Sequence, residues 1–445
     1  MRVRRRHVIA GLTAAAMAPV MLVVGGVLFT EGGSAPATTG AAQVVQGGAD
    51  TAGSADLSTS VSTLQVRLQR LPGDWTAWAS LGSAYLGQAR VTADPTFYDK
   101  ADEAFARSLQ VQPQANADAL AGQAALANAR HDFEGGRGLA EQAVAADAYD
   151  ATAYGVLSDA HLELGDYEAG EAALERMLEL RPGVAAFSRA SYLFELRGEQ
   201  EPAREAMQKA LDVASLPADA GFASYHLGLL ALSSGDLDGA QQHFDDARQL
   251  DPAATEALAG NARVLAARGD VDAAVTAWDA VVTRLPQATY LVEYGDYLHS
   301  LGRAEEAAAQ YAVADAYGVL AEDSGVISDV EVVLYDADQG RAEQALAGAE
   351  AQYAVRRSIH VEDAYAWALH VNGRDEEALV HAVAAQQTGF RSASFAFHRG
   401  MIEKSLGLHD QARASLQEAL AINPHFSPLH AETAQAALDE LGTTG

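Results

Sequence analysis

Across 445 residues, 60 Asp and Glu face 30 Lys and Arg, for a formal net charge of −30, and there is no cysteine. Lack of cysteine excludes disulfides, thiolate metal sites and cysteine nucleophiles. A body this acidic repels phosphate backbones, because nucleic-acid affinity draws on counterion release by Lys and Arg; nucleic acid is therefore not the expected partner.

The chain opens on a basic segment, Met1 to His7, followed by an uncharged, mostly apolar run from Val8 to Phe29. A basic stretch before an apolar run is the pattern of export, and residues 1–30 read as a signal peptide or signal anchor. The run is close to the roughly 20 residues needed to span a bilayer, which favours an anchor, 8–29 being the only membrane contact. Ala35-Pro36-Ala37 offers a small-x-small cleavage site, so a removed signal stays open. Either way the body is expected outside the cytoplasm, at the cell surface or secreted. Residues 31–56, rich in Gly, Ser, Ala and Thr, read as a flexible linker.

From there a repeat dominates. Glycine recurs at Gly165, Gly198, Gly235, Gly269, Gly302, Gly340, Gly373 and Gly407, at intervals of 33 to 38 residues. Five positions after each stands a small residue: Gly170, Ala203, Ala240, Ala274, Ala307, Ala345, Ala378 and Ala412. A fixed period with a fixed internal offset means one supersecondary unit stacked many times. Each unit reads as helix A, a tight turn at the glycine in the left-handed conformation, then helix B. Aspartates following the turn, as at Asp166, Asp236 and Asp270, are placed to cap helix B. The small residue lets helix B approach helix A.

Tyr154, Leu157, Ser158, Gly165, Tyr167, Gly170, Leu174, Met177 and Pro182 mark one unit; Leu227, Gly228, Gly235, Ala240, Phe244, Ala247 and Pro252 mark another. The most amino-terminal unit carries Trp78, Leu81-Gly82, Tyr85, Ala101, Phe105, Ser108 and Pro113, with an inter-helix segment longer by several residues around Thr92 to Phe97. These residues resemble the tetratricopeptide repeat. The resemblance implies an all-α, right-handed superhelix (an α-solenoid) of about ten helical hairpins over 57–441, closed by terminal capping helices and a tail at 442–445. The unit around Gly122 to Ala148 lacks its closing proline, and 313–338 is irregular, with a long connection around Glu322 to Ser328 and Asp336 where a large apolar residue is usual. Ser191-Tyr192-Leu193-Phe194-Glu195-Leu196-Arg197-Gly198 and Asn423-Pro424-His425-Phe426-Ser427-Pro428-Leu429-His430 are similar to a group of exported bacterial tetratricopeptide proteins of unassigned function.

No phosphate loop, His-Glu-x-x-His, Gly-x-Ser-x-Gly or calcium-loop pattern occurs, so an enzyme is not expected and no cofactor is implied; a cryptic enzyme ranks last. Seven of the 13 histidines lie between His360 and His430. They suggest an alternative, an envelope accessory handling nickel, cobalt or zinc through His370, His398 and His409, although their spacing scatters them over different helices. The resemblance implies that positions 2, 5, 9, 12 and 13 of helix A face a concave groove. Mapped onto this chain they give Asp159, Tyr192, Tyr225, Arg263, Asp296, His299, Trp367, His370, Phe397, Met401 and Lys404. Exposed aromatic and basic side chains are what peptide grooves use as anchors, whereas Trp367 and Phe397 equally suit the core between helices. The expected function is a non-enzymatic scaffold holding a peptide or protein partner in that groove.

Overall fold

A computed structural model describes residues 54–92, 94–323 and 330–443. The expected export segment and most of the linker lie outside these residues. Among the described residues no helix is long and apolar enough to cross a membrane.

All regular structure among the described residues is helical. The helix Ser54–Arg70 is followed by ten hairpins, from Trp75–Thr92 with Thr96–Val111 to Ala393–Ser405 with His409–Ile422, and Ala431–Thr443 closes the array. Each recurring glycine adopts the expected left-handed backbone, with φ between 71° and 87° across the eight units. The small residues five positions on are buried; Ala203, Ala240, Ala274, Ala345, Ala378 and Ala412 are all at 0 % exposure. The capping aspartates divide. Asp236 and Asp270 accept bonds from the backbone of the first turn of helix B, whereas Asp166 makes no such cap and pairs with His161 at 3.2 Å.

Packing explains the Leu-Gly element of the repeat. The Phe244 ring from one helix B lies between Gly228 and Gly260 of two successive A helices, where a β-carbon would stand 2.5 and 2.6 Å from the ring. No side chain larger than hydrogen fits, so the glycines let a fully buried aromatic weld one unit to the next. Between the third and fourth units the weld is ionic: Arg189 donates to both carboxylate oxygens of Asp159 at 2.9 and 2.7 Å, and both residues are buried.

Two local expectations change. In the first unit helix A runs 18 residues, Trp75–Thr92, and helix B starts at Thr96, so the helices take up both ends of the longer inter-helix segment. At the irregular segment Ala304–Asp323 is lengthened to 20 residues and Val330–Asp338 shortened to 9. Residues 324–329 of the expected long connection lie outside the described residues. Asp336 occupies its apolar position by pairing with Arg341 at 2.8 Å, and Arg341 also reaches Asp315 across the joint at 2.9 Å.

Candidate functional site

The repeat pattern gives no sign of where the coil meets itself, yet among the described residues it does so at three successive units. Leu164 accepts a main-chain bond from Arg357, and Glu163 pairs with Arg356 at 2.8 Å. The Tyr167 hydroxyl accepts the Ile359 N–H at 2.8 Å. One unit further along, Gly198 lies against Gly389; one unit further again, Asn423 donates to the Leu232 carbonyl at 2.9 Å. The sequence separations of these pairings are 191 to 193 residues. With a repeat of roughly 34 residues, one superhelical turn takes between five and six units. Hairpin turns on one edge of the first coil thus rest on the inter-unit loops at the opposite edge of the second.

The seam between the coils is packed as a core. Ile359 is completely buried among Leu162, Tyr192 and Leu193 of the first coil, with Phe390 and Phe395 beside it. Burying such a side chain contributes about 1.5–3 kcal/mol. The Glu163–Arg356 pair is almost dry, with side-chain exposures of 13 % and 2 %, and the guanidinium also lies over the Phe133 ring at 4.9 Å. A charge pair so placed adds little to net stability but is costly to break.

Coiling this tightly makes the concave face the wall of a half-open lumen of about 1370 Å³. Its wall is supplied mainly by the A helices, including Glu195, Arg263, Val292, Asp296, His360 and His398. Nine Asp and Glu side chains and two arginines, Arg263 and Arg391, are among the described residues that line it. Much of that charge is already committed. Arg263 holds Glu293 through two bonds of 2.7 and 2.8 Å, His398 bonds Asp363 at 2.9 Å, and Asp338 takes bonds from Trp367 and His430. Burial opposes ionisation of Asp338, but the His430 and Trp367 donors outweigh it and keep its carboxyl below the ordinary value. Glu195 and Asp296 have no basic partner among the described residues. Burial alone pushes Glu195 up to about 7. Burial also pushes Asp296 up to about 7, against the bond it accepts from the Tyr311 hydroxyl and with help from the charges of Asp338 and Glu293.

The expected groove residues do not form one surface. Arg263 and Asp296 face the lumen. His299 is exposed outside it. Tyr192 and Tyr225 are buried, the first with its hydroxyl 3.5 Å from His360 and the second against Phe244. Asp159 is consumed by Arg189. Trp367 and Phe397, at 7 % and 1 % exposure, belong to the core between units, with His398 stacked on the indole at 4.4 Å. Met401 packs against the same cluster, His370 bonds Asp375 at 2.5 Å, and Lys404 pairs with Glu440 at 2.6 Å. The physical reason is the small radius of the coil: neighbouring A helices crowd on the inside, and a large side chain at position 9 is taken into the contact between them. Sequence reasoning missed Glu195, His360 and the aromatic wall of Phe390, Phe395 and Phe426, because they become neighbours only through closure.

His370, His398 and His409 do not assemble a metal site. The first two are held by carboxylates on separate helices, His409 is exposed, and among the described residues no three His, Asp or Glu side chains come together to hold an ion.

Models described as tetratricopeptide repeat match residues 151–183 and 393–426, residues 198–255, and residues 231–291. No curated protein sequence gives a significant match. Among solved structures, a thermophilic TPR protein of Thermus thermophilus is 23 % identical, covering 38 % of this chain and 91 % of its own, with a TM-score of 0.36. The human IFIT1 dimer with m7Gppp-AAAA is 17 % identical over 75 % of this chain and 78 % of that one, with a TM-score of 0.47. A tetratricopeptide repeat protein from Parabacteroides merdae is 12 % identical over 73 % and 98 %, with a TM-score of 0.32. Likeness at this level carries nothing about ligands.

Proposed function

The chain is a tetratricopeptide repeat protein, and on that basis we propose that it is a non-enzymatic scaffold holding an extended segment of a partner protein in its lumen. The observation that carries this reading is the half-open lumen of about 1370 Å³ on the concave face. Small-molecule sites are typically about 300–1,000 Å³, so the space suits a length of chain better than a metabolite. Its wall mixes apolar, aromatic and a few convergent polar groups, as peptide-binding surfaces do. The acidic lining disfavours a nucleic-acid guest through repulsion of phosphate. The basic and apolar amino terminus supports a place outside the cytoplasm, anchored or released.

A photo-crosslinking side chain at Val292, inside the lumen, tests the reading against one at Val380, exposed on a helix B outside it. A partner captured from the native cell envelope at Val292 and not at Val380 is the expected result. Capture only at Val380 would place the working surface on the outside of the coil. Protease accessibility in intact cells checks the location separately.

A further inference from the structure

The chemistry of the lumen narrows what occupies it. Internal pairing leaves the wall with a surplus of negative charge: Arg263 is spent on Glu293, and against Arg391 stand Glu195, Asp296 and Glu432, which face the cavity without a basic partner among the described residues. The placement of this charge matters more than its amount. Glu195 stands near the end of the helix Val184–Leu196 and Asp296 in Ala288–Ser300, three units on, while Glu432 begins the closing helix Ala431–Thr443. Carboxyls without a basic partner among the described residues are thus spread around the lumen, as a ligand with several separated positive groups requires and a single cation does not.

The same lumen has an aromatic wall. Phe390, Phe395 and Phe426 line the second coil, and Tyr317 and Tyr335 line the irregular joint. Phe390 and Phe395 meet edge to face at 5.3 Å, with His360 against both rings at 5.4 and 5.6 Å. Aromatic faces attract guanidinium and ammonium groups, most strongly where water is excluded. A charged cavity in a low-dielectric wall concentrates ions of opposite sign, and the net charge of −30 over the whole chain reinforces the field.

Resting on the scaffold reading above, we propose that the lumen is built for a basic segment of a partner protein, an extended stretch whose arginine or lysine side chains alternate with small or apolar ones. The cations pair with Glu195, Asp296 and Glu432, and the intervening side chains lie on the phenylalanine wall. Entry of the segment supplies the partner charges that the apo lumen lacks, so Glu195 and Asp296 become fully ionised on binding. Binding near pH 7 therefore releases protons.

The test uses the full-length chain and three fluorescein-labelled nonapeptides, alternating Arg-Ala, Gln-Ala and Glu-Ala, read by anisotropy at fixed salt, with a single-stranded oligonucleotide as a further probe. The arginine peptide is expected to bind, weaken as salt rises, and lose about tenfold in affinity, roughly 1.4 kcal/mol, in Glu195→Gln/Asp296→Asn. Both replacements keep the shape of the side chain, and the amide oxygen introduced by Asp296→Asn still accepts the bond from the Tyr311 hydroxyl. A control variant, Glu168→Gln/Glu205→Gln, removes two exposed carboxylates from B helices and is expected to change nothing. Equal losses in the two variants would mean adventitious attraction to an acidic surface and overturn the proposal. Equal affinity for the glutamine peptide would overturn it while leaving the scaffold reading intact, as would preference for the oligonucleotide or the absence of binding by any peptide. The scaffold reading itself falls only with the Val292 crosslink.

Discussion

At Gly198 an added β-carbon would come within 2.1 Å of the Gly389 carbonyl oxygen; at Gly302, with nearly the same φ (71° against 74°), it would meet nothing within 4 Å. The same glycine of the same repeat therefore serves two purposes. In every unit it closes the turn between helices A and B, a local requirement met by left-handed backbone. In the turns at Gly165 and Gly198 it also lets the second coil lie directly on the first. A repeat thus specifies its unit, while the contact between coils is specified by how units add up.

Four perturbations test the turn, the seam and the lumen that the two coils bound. The largest effect is expected at Arg356→Ala, which leaves Glu163 charged and nearly dry in the seam; breaking a buried pair costs about 3–5 kcal/mol. Urea unfolding would measure the cost. Small-angle scattering would show expansion, which Arg189→Ala, breaking a pair between consecutive units, would not produce to the same degree.

Gly198→Ala comes next. Both it and Gly302→Ala carry the left-handed penalty of about 1–2 kcal/mol, but only the first drives a β-carbon into main chain. Its loss of stability should exceed that of Gly302→Ala by about 1 kcal/mol or more, the scale of a forced steric shift in a packed site. Gly235→Ala, where the nearest seam atoms stand at 3.5 Å, should behave like Gly302→Ala. Equal losses at Gly198 and Gly302 would remove the seam from the account.

A third effect concerns pH. Glu195 and Asp296 are each raised from an ordinary carboxyl value to about 7 in the folded protein. Between about pH 4 and 7 the folded state thus binds more protons at these groups than the unfolded chain does, and their contribution to stability falls as pH rises through that window. Glu195→Gln/Asp296→Asn should flatten the dependence of melting temperature on pH there, with its greatest relative gain above pH 7.

The smallest effect is a gain. His131 adopts φ 62° where the recurring glycine stands in later units. His131→Gly relieves that strain and should raise stability by no more than about 1 kcal/mol, since glycine also adds freedom to the unfolded chain.

That last residue shows how far the sequence could be read. His131 lies 34 residues before Gly165 and is followed by Asp132, which caps the next helix through Gly135; the turn was legible from spacing even without its glycine. The hairpins and their capping helices were legible for the same reason, since each depends on residues close together in the chain. The seam was not. Arg356, Gly389 and Asn423 are a basic residue, a glycine and an asparagine in loops, types that loops carry for many reasons. Their role depends on the curvature accumulated over the units between. The groove inherited that ignorance: position 9 is a wall residue at Arg263 and Asp296 and a core residue at Trp367, and only the radius of the coil decides between them.

Because the chain has no cysteine, a single engineered pair reads the closure directly. Leu164→Cys/Arg357→Cys places two thiols on residues joined by a main-chain bond across the seam. Closure predicts a rapid intramolecular disulfide on mild oxidation, seen as a faster-migrating monomer on a non-reducing gel and suppressed by Arg356→Ala. Thiols that stay reduced, or that link only between molecules, would contradict the contact between coils and with it the lumen they bound.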